Sequence, residues 1–224
     1  RFWHHKNNHT RRGKLYNEQS FLGNLIGDGG GITGGGALIK DLAELGEYIL
    51  EKPTKIGYPI TLKGLGLAHK SESGAVAVGL QSAEQLQASI ASMPASITEF
   101  LVEQTVTGIV AEVLVSIRRT APLGWMITLG AGGVLTELWR DTQCLLAPAT
   151  NADIRSALQR LRIAPILNGY RGKPTANIDA LVDVVTALQQ AVVGSSVVEV
   201  ELNPVLATTT SAIAVDALLI EETK

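Results

Sequence analysis

Residues 58–80 read YPITLKGLGLAHKSESGAVAVGL, which sets Lys63 at the end of an apolar run and follows it with a glycine-punctuated stretch carrying His69, Lys70 and Ser71. These types in this order suit phosphate chemistry. A lysine closing a buried strand costs solvation unless an anion meets it. A neutral imidazole is a competent nucleophile near pH 7, and cations beside it stabilise a phosphoryl group in transfer. The same residues allow a plainer reading, in which Lys63 snorkels to water and His69 sits idle in a loop.

A second group lies in VVEVELNPV, residues 197–205. Strand alternation places Glu199, Glu201 and Asn203 on one face and Val198, Val200 and Leu202 on the other. Further on, Asp216 interrupts the apolar run AIAVDALLI. Paired as a hairpin, the two strands could present Asn203 and Asp216 to a single hard cation, and a small oxygen set completed by water and phosphate suits Mg²⁺. The competing account is the wet face of an edge hairpin. A lone aspartate among Ala, Val and Leu argues against it.

Two weaker groups complete the candidates. In LVEQTVTGIVAEVLV, Glu103 ends one apolar run and Glu112 lies in the next, so they could accept hydrogen bonds from an adenine amino group and ribose hydroxyls, or be ordinary surface charges. In LGAGGVLTELWRD, Gly130, Gly132 and Gly133 free backbone N–H groups to approach an anion, with Glu137, Arg140 and Asp141 just beyond; a plain turn competes.

The elements that must position these residues follow from periodicity. A helical stripe of Leu38, Leu42, Leu45 and Ile49 ends at Pro53, and a strand over 59–63 follows. A strand over 75–80 leads to a helix opened by a Ser82/Gln85 capping box and ending before Pro94. Strands are predicted over 97–102, 112–118 and 125–129, then helices over 152–161 and 178–192, capped by Asn151 and Asn177. Strands over 197–202 and 212–220 close the chain. Helices and strands mix without strict alternation and the strand pairs look like hairpins, which favours α+β with mainly antiparallel sheets.

Composition narrows the function classes. The 224 residues can bury a sizeable core, and the 46% hydrophobic, 18% charged and 4% aromatic content is that of an aliphatic, globular interior. A formal charge of −2 argues against a nucleic-acid partner. The uncharged stretch 120–136 is broken by Pro122 and four glycines nearby, so no membrane span is expected. The single cysteine, Cys144, rules out an internal disulfide, fits a reducing cytoplasm, and within CLLAP reads as a small buried hydrophobe. The first residues, including His4, His5 and His9, read with the glycine tract GDGGGITGGG as a tag-like or disordered segment over 1–36, outside any metal argument.

Taken in order, IGYPITLK, HKSESGAVAVGL, FLVEQTVTGIVAEVLV, LGAGGVLTELWRD, GYRGKP, ELNP and AVDAL resemble the ATP-grasp domain of ADP-forming acyl-CoA synthetases, relatives of succinyl-CoA synthetase beta chains. The resemblance runs from about Leu38 to the end. It implies an ATP-grasp domain over 37–224, with two α+β lobes of roughly 37–110 and 111–224 gripping a nucleotide. It implies that Lys63, Lys70 and Ser71 bind ATP phosphates, that His69 is a transient phosphohistidine, and that Glu103, Val106 and Glu112 hold adenine and ribose. Asn203 and Asp216, with Glu201 beside them, would ligate Mg²⁺. The implied cofactors are ATP or ADP and Mg²⁺. The implied partner is a CoA-binding alpha-type subunit or domain carrying a second histidine, acting on a small organic acid or its acyl-CoA.

The chain departs from that pattern in three places. The CoA-binding part and the partner histidine are missing, so this chain accounts for the nucleotide half-reaction. Where the family often has an aspartate after the strand over 112–118, IRRTAPLG offers Thr120. The amino-terminal residues differ from the family's usual helix. A nucleotide-binding regulatory module of the same fold is the alternative, which the retained His69 disfavours; a carboxylate–amine ligase of the same fold fits HKSES poorly.

Overall fold

A computed structural model of the chain describes residues 36–39, 57–65 and 74–221. His69, Lys70, Ser71, the early histidines, the glycine tract up to residue 35 and most of the helical stripe after Leu38 lie outside the described residues. The described residues form two compact units that divide between Thr105 and Val106.

The first unit is a four-stranded antiparallel sheet with one helix. Its elements are β1 (Gly36–Ile39), β2 (Ile60–Gly64), β3 (Val76–Leu80), α1 (Ala83–Ser92) and β4 (Phe100–Gln104), and the sheet order is β1-β4-β2-β3. Leu38, expected in a helix, pairs instead with Leu101 of β4. Strand alternation sends Ile60 and Leu62 of β2 and Phe100 and Val102 of β4 into one core, where Leu86 of α1, Met93 and Ile97 join them. Ile97 is buried ahead of the strand rather than inside it, so β4 starts later than the apolar run suggests. The expected capping box is half formed: Ser82 accepts from the Gln85 N–H, but the Gln85 side chain reaches the Gln81 N–H one residue too early.

The second unit has β5 (Ile109–Thr120), β6 (Gly124–Ala131), α2 (Leu135–Trp139), β7 (Thr142–Leu146), α3 (Asn151–Arg160), α4 (Ala164–Leu167), a 3₁₀ turn at Tyr170–Gly172, α5 (Ile178–Val192), β8 (Val197–Thr208), β9 (Ala212–Ala214) and β10 (Ala217–Glu221). The strand order is β10-β8-β5-β6-β7, with β9 also on β8, and every pairing is antiparallel. Ile154 and Leu158 of α3 and Leu181, Val185 and Leu188 of α5 share one core with Val113, Val115, Ile127, Leu129, Val200 and Leu202 of the sheet. Truncating a fully buried leucine such as Leu181 would cost about 2–5 kcal/mol. Both sheets are antiparallel and both carry helices, as the α+β expectation requires.

Several details differ from the sequence reading. Asn177 caps α5 as expected, accepting from the Ala180 N–H. The α3 cap is Thr150 rather than Asn151: Thr150 and Asp153 complete a capping box, while the Asn151 amide oxygen accepts from Thr186. Cys144 is exposed, not buried, because β7 is the sheet edge and its alternation turns Thr142, Cys144 and Leu146 outward. The closing strand is split into β9 and β10 around Asp216. No helix among the described residues is long and apolar enough to cross a membrane.

Candidate functional site

In the first unit, register decides what Lys63 meets. Lys63 lies opposite Leu101 and Thr61 opposite Glu103, so Lys63 and Glu103 are diagonal neighbours on one face of the sheet. Their side chains form an ion pair, each only 14% exposed. On the same face the Thr61 and Thr105 hydroxyls hydrogen-bond at 2.8 Å, and Thr105 Oγ1 accepts from the Gly79 N–H at 3.3 Å. The lysine that sequence reasoning aimed at an anion therefore stands beside a carboxylate, and the strand-end location is as expected.

In the second unit the hairpin forms as expected. Asn203 donates its backbone N–H to the Asp216 carbonyl at 3.1 Å, and the Val215 N–H donates to the Pro204 carbonyl at 3.2 Å. The β5–β8 register shifts between Val113 and Val115, where one residue on β5 faces two on β8, Asn203 and Pro204. Proline cannot donate to the ladder, and the extra residue re-aims the asparagine beside it. Asn203 Oδ1 then accepts from the Gly133 N–H at 2.9 Å and lies 3.5 Å from Thr136 Oγ1.

The glycine loop works differently from the anion cradle expected of it. The Gly132 N–H is taken by the Glu112 carbonyl at 2.9 Å and the Gly133 N–H by Asn203, so both bind protein. Gly133 has φ +58°, and a Cβ there would overlap Glu112 Oε2. The Glu112 carboxylate thus fills the space a side chain at 133 would need. Asp141 also turns inward: it is 7% exposed and accepts from the Arg162 N–H at 2.6 Å and the Ile163 N–H at 3.3 Å, holding the start of α4.

Glu201 lies opposite Leu218 and Ser116 on the same strand as Asn203, and Val106 is half-buried and the first described residue of the second unit. Thr136 was missed by sequence reasoning, since 67 residues separate it from Asn203 and only the fold joins them.

Asn203 and Asp216 are the residues that could hold Mg²⁺. Among the described residues no group of three or more His, Cys, Asp or Glu side chains is placed to hold a metal. Asp216 is exposed; one carboxylate oxygen accepts from the Ala217 N–H at 3.1 Å and further acceptor capacity stays open. One amide oxygen and one carboxylate, with water and a ligand's phosphate, could make up the kind of oxygen set that Mg²⁺ prefers.

Comparison with known proteins gives a consistent result. The ATP-grasp domain model matches residues 39–220. Subunit beta of ADP-forming acetate–CoA ligase I of Pyrococcus furiosus is 28% identical over 177 residues, covering 74% of this chain and 76% of that subunit. ADP-forming acetate–CoA ligase I of Archaeoglobus fulgidus is 34% identical over 161 residues, covering 67% of this chain and 23% of that protein. This chain thus aligns with most of a separate subunit and with under a quarter of the longer enzyme. An acetyl-coenzyme A synthetase 1 of Candidatus Korarchaeum cryptofilum has a TM-score of 0.78 at 25% identity, covering 94% of this chain and 93% of that one. That structure holds coenzyme A and Mg-AMPPCP, with its phosphohistidine segment pointing towards the nucleotide-binding site.

Proposed function

This chain belongs to the ATP-grasp domain family, and we propose that it is the nucleotide-binding, phosphoryl-transfer part of an ADP-forming acid–CoA ligase. The overall reaction interconverts acyl-CoA, ADP and phosphate with acid, CoA and ATP. The observation that supports this reading is the backbone pairing of Asn203 with Asp216, together with the Asn203 amide oxygen held by the Gly133 N–H.

Each residue then has a role. Asn203 and Asp216 hold Mg²⁺, with Glu201 beside them. The bound ion neutralises charge on the phosphates and on the group in transfer. Lys63, Lys70 and Ser71 bind the nucleotide phosphates, and Glu103, Val106 and Glu112 hold base and ribose. A His69 ring nitrogen takes the phosphoryl group, forming a P–N bond as the donor's bond to phosphorus breaks. A terminal phosphate oxygen of ADP then attacks phosphorus, the P–N bond breaks, and the imidazole returns to its neutral form.

The donor is a histidine on a CoA-binding alpha-type subunit or domain, where acyl-CoA and phosphate give the acyl phosphate. That division of labour is supported by the separate beta subunit among the relatives and by the longer enzyme of which this chain matches a part. The same reading assigns residues 37–224 to one domain, with lobes of roughly 37–110 and 111–224, and places the enzyme in the cytoplasm, where an exposed Cys144 stays reduced.

The test is to incubate the chain with γ-labelled ATP and Mg²⁺. An acid-labile, base-stable label that disappears in His69→Ala supports the relay. Nucleotide binding without label would instead make the chain a regulatory module of the same fold.

A further inference from the structure

A primary amide has two ends of nearly equal shape, and only its oxygen can ligate Mg²⁺. Something must choose which end Asn203 offers. The Gly133 N–H is a fixed donor: its turn is held by the Gly132 N–H on the Glu112 carbonyl and by the Thr136 N–H on the Gly133 carbonyl at 3.2 Å. A donor so placed requires an acceptor, which sets Oδ1 toward it at 2.9 Å. One lone pair of Oδ1 is then used by the backbone, and what borders the rest of that oxygen decides how it meets a cation.

Thr136 completes this arrangement. Its hydroxyl donates to the Ala131 carbonyl at 3.0 Å and lies 3.5 Å from Asn203 Oδ1. It therefore ties the turn that carries Gly133 to the end of β6 and borders the amide oxygen from a second side. We propose that Thr136 is a positioning residue for metal binding, acting through Gly133 and the Asn203 amide; this rests on the assignment of Asn203 as a Mg²⁺ ligand. Residues that orient a metal ligand through hydrogen bonds change metal affinity by about 10–100-fold when removed.

The experiment is a calorimetric titration of AMPPCP into the full chain at a series of Mg²⁺ concentrations, with the same titration in chelator. Thr136→Val raises the Mg²⁺ midpoint about tenfold and leaves metal-free AMPPCP binding unchanged, whereas Thr136→Ser, which keeps the hydroxyl, stays near the wild-type midpoint. In the Asn203→Ala background, Thr136→Val adds no further shift, which a purely structural role would not produce. Thr136→Ala, which adds no second methyl, is measured beside Thr136→Val and reads the same way where the valine variant folds poorly. A wild-type midpoint in Thr136→Val and Thr136→Ala, with Asn203→Ala shifted, overturns the role of Thr136 alone. An unshifted Asn203→Ala overturns the metal assignment beneath it.

Discussion

Asn203 and Asp216 are joined backbone to backbone, the N–H of the first donating to the carbonyl of the second at 3.1 Å, in the middle of an interruption that separates β9 from β10. The interruption is what makes the pair usable. Asp216 falls outside both strands with its side chain exposed, while the amide oxygen of the asparagine paired with it through the backbone is held by the Gly133 N–H. Asp216→Ala therefore leaves folding stability within about 0.5 kcal/mol of wild type, as expected for an exposed side chain, but raises the Mg²⁺ needed for nucleotide binding by more than about tenfold. A Mg²⁺ titration alongside urea denaturation separates the two effects.

Lys63 and Glu103 are coupled partners in a mostly buried ion pair. Removing one member of such a pair leaves the other charge without its partner in a poorly solvated place, a loss of about 3 kcal/mol. Lys63→Met should therefore both lower the urea midpoint and weaken AMPPCP binding. Adding Glu103→Gln should restore most of the stability and none of the binding, because the stranded charge is gone but the cation is still missing. If the double variant is no more stable than Lys63→Met, the ion pair is not what the substitution disturbs.

How much of this was legible in the sequence depended on distance along the chain. The α5 helix was read correctly to its ends because its cap and apolar stripe are local. The Asn203–Asp216 hairpin was legible because alternation and a short connection fix which residues face each other. What escaped was set by contacts between remote segments. The Gly133 N–H reads from sequence as a free anion donor, and only the long-range approach of β8 turns it onto Asn203. Asp141 reads as charge just beyond the glycine loop until the Arg162 N–H, ahead of α4, is placed on it. Leu38 was assigned to a helical stripe, and β4 drew it into a strand; Cys144 reads as core until β7 proves to be an edge.

Asp153 gives the structure an acid-sensitive helix start. Hydrogen bonds from the Thr150 hydroxyl, then from the Thr150 N–H, hold its carboxyl below the ordinary aspartate value. A carboxyl depressed in the folded state contributes stability that is present above its unfolded value and is lost as pH falls through the folded value. The capping box of α3 should accordingly weaken only at the acid end of the carboxylate range. Melting temperature followed downward in pH should fall less steeply in Asp153→Asn than in wild type, with the two profiles parallel near neutrality. Parallel profiles across the acid range as well would mean that the box contributes nothing through its charge.

Gly133→Ala tests the cluster most severely, because two independent penalties meet at one position. The left-handed φ of +58° costs a non-glycine residue about 1–2 kcal/mol, and the new methyl would overlap the Glu112 carboxylate, which must move. The carboxylate is the flexible partner, so the protein should still fold, with a lower melting temperature and with Glu112 displaced. Adding Glu112→Ala removes the overlap but not the backbone strain, so stability should recover only in part. AMPPCP binding should not recover, since Glu112 itself is then absent. If Gly133→Ala melts like wild type and binds AMPPCP normally, Glu112 does not occupy that space in solution and its assignment to the nucleotide loses this support.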